Sequence, residues 1–237
     1  MKKAVRYSLY SAVTAALCVA FCILCHFSRQ ERNTDLCKSV EIAFADSLHF
    51  LDTEDVAVCI DDNYGTPVGK KYGEVDLKKI EDILEMKPDI ARSEAWMTTD
   101  GVLHVLVFHR RPVCMFRDGQ NCFYADASGF IFPVHDDPVT GVPVIDGPAS
   151  TNVEHLTEIM DIVNNLPDGI CRMQIDSRCN ISFFREDGPE KFLFGQPEGK
   201  EEKFDKYGKY IGRILPSAEG KGYTSVDLRY ANQIICK

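Results

Sequence analysis

From Tyr7 to Ser28 the chain carries no Asp, Glu, Lys or Arg. The run reads YSLYSAVTAALCVAFCILCHFS, with Lys2, Lys3 and Arg6 before it and Arg29 and Arg32 after it. A helix of this length reaches about 33 Å, close to the ~30 Å hydrocarbon core of a bilayer. The rival reading is a cleaved signal peptide, whose apolar stretch is shorter, roughly 7–15 residues, and ends in a small-x-small site. Cys25-His26-Phe27 does not supply such a site. None of Cys18, Cys22 and Cys25 follows the Leu-small-small triplet of a lipoprotein signal. The expectation is an uncleaved anchor: a cytoplasmic tail at residues 1–6, a transmembrane helix at 7–28 and an exported remainder. Lys2, Lys3 and Arg6 before the run against Arg29, Arg32 and Lys38 after it give only a small positive-inside bias, and the short leading tail favours that orientation.

Charge reinforces the division. The 237 residues carry a net charge of −9. Residues 1–32 hold five basic side chains and one acid, net +4, which leaves 22 basic and 35 acidic side chains, net −13, on the other 205 residues. A domain so acidic repels nucleic acid and anionic lipid head groups, and no basic stripe interleaved with aromatics offsets it. Nucleic acid is excluded as a partner. Hydrophobic residues at 45% and charged residues at 27% are ordinary globular values, which exclude a disordered chain and a multi-span membrane protein.

Six cysteines fall beyond the span and its flank: Cys59, Cys114, Cys122, Cys171, Cys179 and Cys236. Export permits disulfides, but no CxxC pair lies outside the membrane run, so zinc and redox readings are weak. Cys114 and Cys122 flank Asp118-Gly119 and would face each other only across a three-residue loop. Buried free thiols are the preferred expectation.

Periodicity suggests two exported units. In the first, residues 38–110, Val40, Ile42 and Phe44 alternate as in a half-buried strand. A short helix capped near Asp52 is expected through Ile60, and a second, capped by Asp76, over Leu77–Met86 with Pro88 closing it. Strands over Ile90–Thr98 and Val102–His109, turned at Asp100-Gly101, complete a β-α-α-β-β sandwich. The second unit, residues 111–237, reads as short strands: Val113–Arg117, Cys122–Ala125, Ile131–Val134, a short Val-Ile strand within Pro138–Gly147, Ile170–Ile175, Ile181–Phe184 and Lys191–Phe194. Helices are expected over Asn152–Asn165 and Lys200–Leu215, then a strand over Thr224–Tyr230 and a last apolar piece, Gln233–Cys236. The fold class is α+β, with the second unit a mostly antiparallel sheet backed by two helices.

The chain lacks the GxSxG, GxxxxGK[ST], HExxH and GxGxxG motifs. Its six histidines, at 26, 49, 104, 109, 135 and 155, are scattered, and no pair has the helical ligand spacing of a metal site. His104 reads as a structural histidine within a strand. His135-Asp136-Asp137 reads as a solvated loop before Pro138, and the sequon at Asn180 falls in a strand-like segment. No enzyme, cofactor, metal or small-molecule substrate is expected. The C-terminus is more informative: Val226, Leu228 and Tyr230 alternate with Asp227 and Arg229. A last strand is often an edge, whose free backbone groups invite strand addition by a partner, although it equally completes its own sheet.

Three segments resemble the bacterial cell-division family FtsQ, also called DivIB. YTSVDLRYAN at 223–232 is similar to its C-terminal signature. LHVLVFHRRPVCMF at 103–116 resembles the passage between its two exported domains, and FYADASGFIFP at 123–133 resembles the hairpin that follows. The single span and the order of units agree. Gln233-Ile234-Ile235-Cys236-Lys237 departs from the Gly-rich follow-on of some members.

The resemblance implies a single transmembrane helix, a polypeptide-transport-associated (POTRA) domain and a β-domain, exported to the periplasm and acting at the division septum. It implies a scaffold without catalysis that binds the coiled-coil division proteins FtsB and FtsL and other division proteins. The family's FtsB contact, carried over by matching positions, falls on Arg229, Tyr230, Ala231 and Asn232, with Val226, Asp227 and Leu228 in the same strand. Arg178 matches a second basic contact. The POTRA unit carries recruitment to the division site. The alternative is a POTRA-containing chaperone or export module for outer-membrane clients.

Overall fold

The computed structural model describes residues 14–23, 35–135, 138–148, 154–218 and 222–237. The expected anchor lies partly outside them. Residues 14–23 are helical, and among the described residues no helix is long and apolar enough to cross a membrane. The tail at 1–6, Cys25, His26, Asp136 and Asp137 also lie outside. The chain divides into two compact units, residues 1–109 and 110–237.

Unit 1 follows the local signals closely. Its elements are β1 (Ser39–Phe44), α1 (Thr53–Asn63), a 3-10 turn (Tyr72–Glu74), α2 (Leu77–Glu85), β2 (Ile90–Met97) and β3 (Val102–His109). Asp52 starts α1 through a reciprocal capping box: Asp55 N donates to Asp52 Oδ1 at 2.8 Å, and Asp52 N donates to Asp55 Oδ2 at 3.0 Å. Asp76 caps α2 by accepting from Lys79 N at 3.0 Å. The sheet order is β1-β3-β2, with β1 parallel and β2 antiparallel to β3. Leu103, Val105 and Val107 point to one face and are buried with Val56, Ile60, Ile80 and Leu84 of the helices. Gly101, at φ +89°, makes the β2–β3 turn where a Cβ would stand 2.6 Å from the Leu36 carbonyl oxygen, so no side chain fits there.

Unit 2 is a nine-stranded sheet in the order β12-β11-β10-β9-β8-β7-β4-β5-β6 among the described residues. Its strands are β4 (Cys114–Asp118), β5 (Asn121–Ala125), β6 (Ile131–Pro133), β7 (Val144–Asp146), β8 (Ile170–Ile175), β9 (Ile181–Arg185), β10 (Lys191–Gly195), β11 (Ser225–Asp227) and β12 (Ile235–Cys236). Helices α3 (Leu156–Val163) and α4 (Lys200–Lys209) pack Ile159, Ile162 and Tyr207 into the core with Phe183, Phe192, Phe194 and Val226. Truncating one such buried phenylalanine to alanine costs about 3–5 kcal/mol.

Three expectations are corrected. The sheet is mixed rather than mostly antiparallel, because β7 runs parallel to both β4 and β8, and β11 runs parallel to β10. The helix expected over 200–215 is present, but its α-helical start, Lys200–Lys209, gives way to a π-helical segment, Tyr210–Ile214, before a last α turn, Leu215–Ser217. The thiols are not uniformly buried: Cys114 and Cys179 are, whereas Cys122 and Cys171 are exposed. The β4–β5 loop has two residues, so Cys114 faces Ala125 and Cys122 faces Arg117, and all the described cysteines are free.

The FYADASGFIFP hairpin owes its form to Asp126. Its Oδ1 accepts from Ser128 N at 2.9 Å and Phe130 N at 3.0 Å, and its Oδ2 accepts from Arg110 Nη1 at 2.6 Å. Burial pushes the Asp126 carboxyl up, but the Ser128 hydroxyl, which donates to Oδ1 at 2.6 Å, outweighs it together with the Arg110 and backbone hydrogen bonds and holds the carboxyl below the usual range.

Candidate partner-binding surface

The C-terminal segment alternates buried roots with an exposed turn. Val226 and Leu228 are fully buried, and Leu228 N donates to Leu193 O at 3.0 Å. Asp227, 9% exposed, faces the opposite side and binds Arg229 through two parallel hydrogen bonds, Nε to Oδ1 at 2.9 Å and Nη2 to Oδ2 at 2.6 Å. This pairing holds the Asp227 carboxyl below its ordinary range. Arg229, Tyr230, Ala231 and Asn232 are all exposed, and Tyr230 shows half of its surface.

The turn after Arg229 is fixed from α4. Lys206, 5% exposed, donates from Nζ to the Tyr230 carbonyl at 2.8 Å and lies 3.3 Å from Glu202 Oε1. Asn232 N donates to the same Glu202 oxygen at 3.1 Å. Those contacts, the Asn232 hydrogen bond first, hold the Glu202 carboxyl below its ordinary range. Asn232 itself takes the left-handed conformation, φ 58°, which asparagine tolerates better than most residues. Neither Glu202 nor Lys206 was expected at this surface. Their only signal in the sequence is the i,i+4 spacing of an acid and a base on a helix.

The expected strand 224–230 is shorter and differently placed. Only Ser225–Asp227 form β11, and β11 lies between β10 and β12. Among the described residues the edge at this end of the sheet is therefore β12. Ser225 and Lys237 exchange both backbone hydrogen bonds, at 3.1 and 3.0 Å. Alternation along an antiparallel ladder makes the next pair, Val226–Cys236, a non-hydrogen-bonded one, so the N–H and C=O of Cys236 point away from β11.

Arg178 sits in the exposed turn between β8 and β9. Asp176 builds that turn by accepting from Arg178 N at 2.8 Å and Asn180 N at 2.9 Å. Gln196, after β10, donates to the Arg178 carbonyl at 2.6 Å. A concavity of about 630 Å³ is lined by Asp176, Ser177, Asn180, Lys191, Gly195 and Arg229, among others. The fold thus brings the Arg178 turn and Arg229 to one end of the sheet, although the Arg178 side chain is not part of the concavity. Among the described residues no cluster of acids, histidines and cysteines could hold a metal ion.

Two family models match the chain. The POTRA-like domain matches residues 35–108, and "FtsQ/DivIB, C-terminal related" matches residues 111–237. A search of curated proteins gives no match. The second model covers more than half of the chain, including the whole surface just described, and the chain belongs to the FtsQ/DivIB family of cell-division proteins.

Proposed function

We propose that the protein is a non-catalytic scaffold of the septal division complex. It is held in the plasma membrane by the uncharged run at residues 7–28, with its two folded units in the periplasm. It binds FtsB-like and FtsL-like coiled-coil division proteins at the C-terminal end of unit 2, and the last strand pairs with the partner. One observation carries this reading: the exposed Arg229–Asn232 turn, fixed by Glu202 and Lys206, lies beside an edge strand whose Cys236 backbone groups point outward. An added strand takes affinity from such backbone groups and specificity from neighbouring side chains. Tyr230 is the aromatic anchor, and Arg229 offers a rigid fork of donors to an acidic residue. Val226, Asp227 and Leu228 hold the surface in place, and Arg178 flanks it.

The test is co-purification of the FtsB-like protein with the full-length, detergent-solubilised chain. Tyr230→Ala is expected to abolish it while leaving the chain membrane-bound. Cys236→Pro removes an outward N–H without removing a bond to β11, and is expected to weaken it similarly. Unchanged co-purification in both variants would reject the site. Depletion is expected to give filamentous cells, whereas loss of outer-membrane proteins without filamentation would point to the export reading.

A further inference from the structure

We propose that the groove between α1 and the C-terminal end of α2 in unit 1 is a docking surface for a basic amphipathic helix of a partner protein. This surface is independent of the C-terminal site.

The groove has a volume of about 560 Å³. Its apolar lining is Val58, Cys59, Ile83, Met86 and Pro88. Val58 is 51% and Met86 79% exposed, values that set them apart from the helix residues facing the sheet, such as Val56 and Leu84, which are fully buried. Methionine adapts its shape to an incoming side chain, which suits a contact surface.

Glu54, Asp55 and Asp62 rim this apolar strip along α1, and Lys87 just after α2 is the one base in the lining, which leaves the rim net negative. Glu54, Val58 and Asp62 stand at i, i+4 and i+8, so they form one ridge of α1 with an apolar residue between two carboxylates. α1 has Glu54, Asp55, Asp61 and Asp62 and no basic residue. Most nearby acids have work within the domain. Asp55 completes the capping box, Asp61 accepts from Thr66 Oγ1 at 3.1 Å, and Asp82 pairs with Lys78 at 2.7 Å. Glu81 and Glu85 of α2 accept from the backbone N–H groups of Ala95 and Ser93 on β2, at 2.8 and 3.0 Å. Among the described residues, Glu54 and Asp62 have no such partner. Asp62 also lies in the last turn of α1, where a negative charge opposes the helix dipole. An acid set against its own helix dipole, with no ion pair among the described residues, is open to a partner's cation.

These features define the occupant. An anionic membrane surface is repelled by the rim. The groove is lined by residues of α1 and α2 and those just after them, with no strand edge, so a helix suits it and an added strand does not. The helix must present an apolar ridge to Val58, Ile83 and Met86 and lysines or arginines to Glu54, Asp55 and Asp62.

The experiment uses the full-length chain in detergent and a fluorescent 14-residue peptide of leucine and lysine with leucine at helical spacing. A counterpart with glutamate for lysine is the control ligand. The lysine peptide is expected to bind, and E54K with D62K to weaken it about tenfold or more, as a reversal of interfacial charge does. E41K with E94K makes the same charge change on the face of the unit 1 sheet opposite the helices and is expected to alter binding less than about twofold. Equal losses from both pairs, or equal binding of the glutamate peptide, would overturn the proposal. Circular dichroism checks the fold, and E54Q with D62N replaces the reversal if it fails. In cells, a photoreactive residue at Val58 is expected to crosslink to a lysine- or arginine-bearing helical segment of another protein. A crosslink to a second copy of the chain, or to a segment of other character, would equally overturn it.

Discussion

Arg229 grips Asp227, two residues earlier on the same chain, with both prongs of its guanidinium, and its backbone N–H adds a third bond to Asp227 Oδ1 at 3.1 Å. The fork proposed above to meet a partner's acid is thus held by Asp227 within the chain. The Asp227 carboxyl is held below its unfolded value first by the Arg229 hydrogen bonds. A depressed carboxyl contributes stability that is fully present above the unfolded value, near pH 4, and is lost as pH falls through the folded value. Asp227→Asn is expected to lower stability at pH 7 by about 0.5–1 kcal/mol, since half of the Arg229 side chain is exposed and screened. Urea unfolding at pH 7 and at pH 2 checks it: the difference between wild type and variant should largely close at the lower pH.

Gly195 supports the same arginine. At φ +74° it has a conformation that costs other residues about 1 kcal/mol, and a Cβ there would meet Arg229 Cγ and Cδ at 3.0 Å. Gly195→Ala is expected to lose about 1–2 kcal/mol of stability and to push Arg229 off Asp227. It should therefore reduce the proposed binding of an FtsB-like partner more than an alanine-for-glycine change at Gly208, where an added Cβ meets open space. Side-by-side thermal unfolding and partner titration separate the two effects.

These contacts explain where the sequence was readable. Unit 1 could be read because its signals are local: Asp52 and Asp76 cap helices, Pro88 closes one, and Leu103, Val105 and Val107 alternate inward. In unit 2 the three-residue β7 finds parallel neighbours in β4 and β8, and the directly opposed Arg117 and Asp146 help fix that register. Such pairing depends on distant chain segments and leaves no periodic trace. The alternation of Val226, Leu228 and Tyr230 suggested a strand through residue 230. The backbone of Arg229 bonds to the Asp227 side chain instead of continuing a ladder, a local competition that ends β11. The proposed site residues Arg229 to Asn232 came from a motif, whereas Glu202 and Lys206, which fix the turn, are unremarkable in sequence.

Asp46 performs a comparable task in unit 1. Its Oδ1 lies 2.9 Å from His109 Nδ1, and its Oδ2 accepts from His109 N at 3.0 Å. The His109 ring is buried, stacked on Phe44 at 4.8 Å, and its Nε2 has no hydrogen-bond partner among the described residues. A proton on Nδ1 and a bare Nε2 is the arrangement that leaves no buried donor unsatisfied. Burial pushes the Asp46 carboxyl up, but the hydrogen bonds from His109 and Leu48 outweigh it and hold it down. Asp46→Asn retains one acceptor where two are used, and is expected to cost unit 1 about 1–3 kcal/mol. Denaturant unfolding followed by the lone Trp96 in β2 reads this directly, because that indole reports on unit 1.

Thiol chemistry gives an independent check on the packing of unit 2. Cys114 is buried, and burial drives its pKa up to about 12, so almost none is thiolate at pH 8. Cys179 is also buried and shifted upward, first by burial and then by nearby carboxylates including Glu158 and Asp176. Cys122 and Cys171 are exposed on β5 and β8. Native protein at pH 8 is expected to alkylate at Cys122 and Cys171 within minutes, while Cys114 and Cys179 react only after denaturant is added. Peptide mapping by mass spectrometry after a timed iodoacetamide pulse distinguishes these groups. Early labelling of Cys114 would mean that β4 and β5 do not pair in the register Cys114–Ala125 and Arg117–Cys122, which follows from their two-residue loop.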